Sequence, residues 1–192
     1  GLHGDTHDMA IGFRTPEALR RRLKKCMDIL ERPIRGYRAP ALGVSEELLH
    51  LLSELGFRYD SSIKVRCVYK QGIDSALPYR YPDTTLWELP LVVQDDLLFR
   101  DLCLTNREAL DLLLAVSRIF TRHGGVMVIN THPVNLTDHF DFYTKLLEFL
   151  THNDSIRIMT AGELVNQLDT HVNGIVSNQD TGQKEDGQTH IV

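Results

Sequence analysis

Short apolar segments alternate with amphipathic helical segments along most of the chain, and that alternation leaves few folds available. Leu86 to Val93, Val126 to Asn130 and Ile156 to Met159 are strand-like runs, and the segments between them repeat apolar residues every three or four positions. Such strands suit a parallel sheet covered by helices, either a barrel or an open doubly wound sheet. Periodicity alone does not choose between the two.

The boundaries follow from local chemistry. Thr15-Pro16-Glu17 supplies an N-cap, a proline for the first turn and an early acid, so a helix carrying Leu19, Leu23, Met27 and Leu30 should run to about Arg32 and stop at Pro33. An extended stretch from Ile34 to Arg38 follows. Ser45 can cap a second helix through Leu48, Leu49, Leu52 and Leu55, ended by Gly56. Phe57 to Ser61 reads as a strand, and Ile63 to Thr85 as an irregular excursion broken by Gly72, Pro78 and Pro82. Asn106 can cap a helix through Leu110, Leu113, Leu114 and Ile119, ended by Gly124-Gly125. A further helix is expected around Phe140 to Leu150, and the Thr160-Ala161-Gly162-Glu163 capping box should open a last one, to about Leu168. From about Asn173 the residues are polar, with too few apolar groups to offset ordering entropy. The expected organisation is one domain over 1–170 and a disordered tail over 171–192.

A length of 192 residues fits a single domain with one core. No apolar run is long enough to span a bilayer. A net charge of −5 with acids and bases interspersed argues against nucleic acid as a partner, which would call for a concentrated basic surface. Cys26, Cys67 and Cys103 form no close pair and read as buried thiols. Beginning at Gly1, the chain shows no signal peptide, so one is absent or already removed, and the compartment stays open.

Three sets of residues could carry chemistry. His3-Gly4-Asp5-Thr6-His7 places two imidazoles four residues apart, so one turn can aim both at a cation; alternatively they are exposed histidines. The ligand type suits zinc, and cobalt or nickel would also fit. His132 follows an apolar strand, where a parallel sheet delivers residues to its carboxyl edge; a structural hydrogen bond to a loop is the plainer role. Arg38 holds the equivalent place after Ile34 to Tyr37, able to orient a carboxylate or to make an ordinary salt bridge.

Taken in order, HGDTH, GYRAP, WELP and VINTHP resemble the motif series of the polysaccharide deacetylase family, the NodB-homology domain, over roughly residues 1 to 170. The resemblance implies a distorted (β/α) TIM-like barrel. It implies that His3 and His7 are metal ligands, although Gly4 stands where the family has Ser or Thr. Arg38 with Pro40 resembles the groove-lining motif that orients the catalytic base, with Ala41 where an aromatic residue is common. Tyr37, Pro40 and Trp87 become candidate substrate-binding residues. His132 resembles the general acid, with Asn130 and Thr131 in place of apolar neighbours. The aspartate-and-tryptophan motif is poorly reproduced; Asp95 is carried over as a partner tuning His132, against the alternative of a solvated loop acid.

The family's adjacent aspartate pair, base and third metal ligand, has no counterpart here; it is expected upstream, together with the first strand-helix segment, whose lack would leave an open seam prone to aggregation. Asp5 and Asp8 could substitute only with cramped geometry. The implied function is removal of N-acetyl or other acyl groups from a glycan by a divalent-metal hydrolase. A non-catalytic carbohydrate-binding relative and a hydrolase of small cyclic amides such as allantoin are the alternatives. Oligomeric state is not legible.

Overall fold

The computed structural model describes residues 1–30, 33–65 and 77–181, with side chains to residue 172. The fold is mixed α/β. Its strands form a four-stranded and a two-stranded sheet, and no closed barrel forms among the described residues. Two compact units result, each with its own buried cluster where the sequence predicted one core.

The first unit holds Gly1–Ile63, Pro78–Leu89 and the C-terminal helix. Helix α1, Pro16–Ile29, starts as predicted, with Ala18 N–H donating to the Thr15 hydroxyl, and ends before Arg32. Strand β1 is Gly36–Tyr37, and α2, Glu46–Glu54, is capped by Ser45. Strands β2, Tyr59–Asp60, β3, Tyr79–Arg80, and β4, Trp87–Glu88, complete a sheet of order β1-β2-β4-β3, in which β3 alone runs antiparallel. Leu2 adds a parallel bridge beside Tyr37. Leu19 and Leu23 of α1 and Leu48 and Leu52 of α2 are fully buried with Ile11, Tyr37, Phe57 and Leu86. Each such side chain contributes about 1.5–3 kcal/mol relative to exposure. A Cβ at Gly36 would meet the outer end of the Tyr59 ring at 2.0 Å, so a larger residue there would force that ring to move.

The second unit includes Lys64, Val65, Leu77 and Pro90–Met159. Strand β5, Leu91–Gln94, pairs parallel with β6, Val128–Asn130. The predicted single strand Leu86 to Val93 is therefore two strands in different sheets, parted at Leu89-Pro90. A π-helical turn, Leu97–Asp101, follows β5. Helix α3 is Asn106–His123, but its cap is Thr105, which exchanges hydrogen bonds with Glu108 in a full capping box. Helices α4, Pro133–Asp138, and α5, Phe140–Thr151, follow β6. Val93, Leu98, Leu113, Phe142 and Leu146 form the core. The expected strand Ile156 to Met159 does not form; Ile158 is exposed.

The capping box at Thr160 and Glu163 opens α6, Ala161–Thr181, which returns to the first unit and runs past the expected tail boundary. The rest of the expected tail, 182–192, lies outside the described residues, as do Cys67 and most of the predicted excursion. Cys26 is buried, but Cys103 is exposed, contrary to its expected burial. No described helix is long and apolar enough to cross a membrane.

Candidate active-site residues

The sheet edge of the first unit fixes His3. Leu2 donates its N–H to the Gly36 carbonyl at 2.7 Å and accepts from Arg38 N–H at 2.9 Å, so His3 emerges beside Arg38 at the carboxyl end of the parallel strands. His3 Nδ1 lies 2.8 Å from the Arg38 carbonyl oxygen. A carbonyl only accepts, so Nδ1 donates and Nε2 is the nitrogen left to meet a cation, the arrangement that fixes metal-binding histidines. The His7 ring meets His3 edge-on with centroids 5.1 Å apart. These two residues fit a metal half-site by ligand type, tautomer and proximity, and no third ligand group joins them among the described residues. Gly4 has φ +77°, and a Cβ there would lie 3.3 Å from Pro40 Cγ, which accounts for glycine at a position where a hydroxyl residue was expected.

Asp5 and Asp8 do not serve as the third ligand in this geometry, because both face Arg22 of α1. Arg22 Nε donates to Asp5 Oδ1 at 2.8 Å, Nη1 to Asp8 Oδ2 at 2.6 Å, and Nη2 to Asp5 and to the Thr6 hydroxyl. The guanidinium holds the Asp5 carboxyl below its ordinary value, and Arg22 with Arg14 holds Asp8 down to about 2. Arg22 thus pins the histidine-bearing loop. Nothing in the Arg20-Arg21-Arg22 run singled it out beforehand.

Arg38 is clamped rather than free. Its Nε donates to the Ser61 carbonyl and its Nη2 to the Ser61 hydroxyl, each at 2.8 Å. Beneath this turn lie two acids that sequence reasoning passed over, Asp60 and Glu88, both with no exposed surface. Tyr37 and Trp87, expected to contact substrate, are 1% and 6% exposed. Pro40 is also buried. Tyr37 packs edge-on against Phe57, and the Trp87 indole N–H donates to Asp169 of α6 at 2.8 Å. Asp169 also accepts from Arg80 at 2.6 Å and Arg58 at 2.5 Å, and Arg80 lies over the Trp87 ring. Both rings are thus packed into the first unit's interior in this structure.

In the second unit, β5 delivers Asp95 and β6 delivers His132. Asp95 is 1% exposed and accepts four hydrogen bonds. Its Oδ1 takes the Asp96 N–H at 2.8 Å and His132 Nδ1 at 2.5 Å. Its Oδ2 takes the His132 N–H and the Tyr143 hydroxyl, each at 2.6 Å. Burial pushes the carboxyl up, but the bonds from Tyr143 and His132 outweigh it and hold Asp95 below its ordinary value. Asp95 is therefore a buried carboxylate bonded to His132, not a solvated loop acid. The His132 ring remains partly exposed, and Nε2 has no hydrogen-bond partner among the described residues.

Asp95, Asp96 and His132 lie close enough to surround a cation. Asp96 already accepts from Asn135 at 2.8 Å and Arg100 at 3.0 Å, so with Asp95 saturated the cluster is built to hold an imidazole rather than a metal.

A "putative polysaccharide deacetylase" from Mycobacterium smegmatis superposes with TM-score 0.71 at 22% identity, covering 100% of this chain and 67% of that one. A "putative polysaccharide deacetylase involved in O-antigen biosynthesis" from Bordetella bronchiseptica aligns with TM-score 0.45 at 19% identity, covering 84% of this chain and 63% of that chain. No protein-family model and no curated protein matches the chain. The class defined is thus a mixed α/β fold. More particularly, it is the fold of the Mycobacterium smegmatis protein, of which this chain spans about two thirds.

Proposed function

We propose that this chain carries the metal-holding, arginine and general-acid parts of a hydrolase that removes N-acetyl or other acyl groups from a glycan. The observation that carries the reading is the Asp95–His132 pair, which fixes one ring nitrogen and leaves the other to exchange a proton with a leaving group. The fold likeness supports the same class.

His3 and His7 would hold a divalent cation, zinc by ligand type, with cobalt or nickel as alternatives. When bound, such an ion supplies a Lewis acid and an acidified water. Arg38, held by Ser61, would orient a carboxylate base. As the carbon–nitrogen bond breaks, protonated His132 passes its Nε2 proton to the departing amine, and Asp95 keeps the ring aligned while that proton leaves. The base and third ligand are assigned to aspartates upstream of residue 1, and the complete fold to a distorted (β/α) barrel.

Incubating the full-length protein and zinc with a chito-oligosaccharide, an O-acetylated glycan and a cyclic imide tests the class. Acetate release from a glycan is the expected result. Turnover of the imide alone would move the substrate to cyclic amides, and glycan binding without hydrolysis would make the protein a non-catalytic relative.

A further inference from the structure

Asp60 and Glu88 occupy registered positions on the parallel strands β2 and β4, so their side chains lie on the same face of the sheet. Neither has exposed surface. Glu88 Oε1 accepts the Ile63 N–H at 3.0 Å, and Oε2 accepts the Tyr81 hydroxyl at 2.7 Å. Asp60 Oδ1 accepts the Ser62 hydroxyl at 2.7 Å. Asp60 Oδ2 is buried with no hydrogen-bond partner among the described residues, on the strand face that Glu88 shares.

Two fully buried carboxyls on registered residues of adjacent strands disfavour each other's ionisation, and an oxygen lacking a donor in a dry interior is costly. The charged and titratable groups facing the pair are Arg38 and the phenols of Tyr37, Tyr79 and Tyr81. Among the described residues Arg38 is the only cation of this group, so of these neighbours one positive charge faces two acids. Burial first, and then the neighbouring acid, raises Glu88; burial raises Asp60.

We propose that Asp60 and Glu88 share a single proton, and that this acid–carboxylate pair positions Arg38 by locking the turn from Ser61 to Ile63. The proton supplies the donor that Asp60 Oδ2 lacks. The turn is then tied at three points. Ile63 N–H is held by Glu88, the Ser62 hydroxyl bridges Asp60 and the Ala39 N–H, and the Ser61 hydroxyl donates to the Leu89 carbonyl. Ser61 in turn holds the guanidinium. The catalytic value of that position rests on the proposed hydrolase reading; the shared proton does not.

Infrared spectroscopy of the full-length protein at neutral pH tests this. A buried protonated-carboxyl band is expected in the wild type and absent from both Asp60→Asn and Glu88→Gln, in which an amide N–H replaces the proton. Glu88→Gln should keep the wild-type melting temperature, whereas Glu88→Ala, which strands Ile63 N–H and the Tyr81 hydroxyl, should lower it by about 4 °C or more. Absence of the band from the wild type at neutral pH, or a band that survives in both isosteric variants, overturns the proposal. If neither variant folds, the wild-type titration decides alone. The band must persist above the ordinary carboxylate range, and the melting temperature must fall as it disappears. None of these readouts uses hydrolysis, so a protein that shows the band and releases no acetate contradicts only the functional reading.

Discussion

Asp95 grips His132 twice, accepting Nδ1 at 2.5 Å on one carboxylate oxygen and the backbone N–H at 2.6 Å on the other. Ring and backbone are thereby fixed to one buried group, and the Tyr143 hydroxyl at 2.6 Å fixes the group itself. An acid that must meet a leaving nitrogen at one place benefits from this restraint.

Replacing Asp95 by Asn puts an amide N–H where a donor already points. Acetate release by the full-length protein should fall by about 10²-fold or more, while Tyr143→Phe, which removes one of four bonds, should cost about tenfold. Initial rates at fixed pH check the order; equal rates for all three proteins would remove Asp95 from the mechanism.

The two units should respond to pH in opposite directions. Asp95 is held below its unfolded value, so its contribution is present above the ordinary carboxylate range and lost as pH falls through its lowered value. Asp60 and Glu88 are raised, so theirs is present in acid and lost as pH rises through their raised values. Thermal melts across pH should show Asp95→Asn flattening the acid limb and Glu88→Gln flattening the neutral-to-alkaline limb.

Arg22→Leu should release the loop bearing His3 and His7. Outer groups that orient metal ligands are typically worth 10–100-fold in affinity, so zinc affinity by competition with a chelating dye should weaken by about that factor. Unaltered affinity would show that Asp5 and Asp8 need no guanidinium to hold the loop.

Asp169→Ala leaves the Trp87 indole N–H buried without its partner and separates Arg58 from Arg80. A cost of about 1–3 kcal/mol should lower the melting temperature by about 2–10 °C, with Asp169→Asn retaining part of the loss. Calorimetry separates the three proteins.

Helix starts were legible because capping is local: Thr15, Ser45 and Thr160 each cap where their side-chain oxygens predicted. Asn106 lost that role to Thr105 because Glu108 stands three residues beyond Thr105 and completes the reciprocal box. Leu86 to Val93 read as one strand because an apolar run hides a change of partner; Leu89 N–H still pairs with Asp60, and Pro90 has no N–H to continue the ladder. His132 was placed by the strand that precedes it, but its four-bonded partner depends on a tertiary approach between Asp95 and Tyr143 that spacing does not encode. Asp60 and Glu88 carry no local signal, and only their depth sets them apart. Tyr37 and Trp87 are large rings beside suggestive motifs, and their depth in the core is likewise not encoded by spacing.

The most direct measurement is acetate released from an N-acetylated chito-oligosaccharide by the full-length, zinc-supplemented protein, compared with its His132→Ala variant at matched fold and metal content. The wild type should release acetate, and the variant should lose about 10²–10⁴-fold of that rate. Equal release by the two proteins would remove His132 from the chemistry.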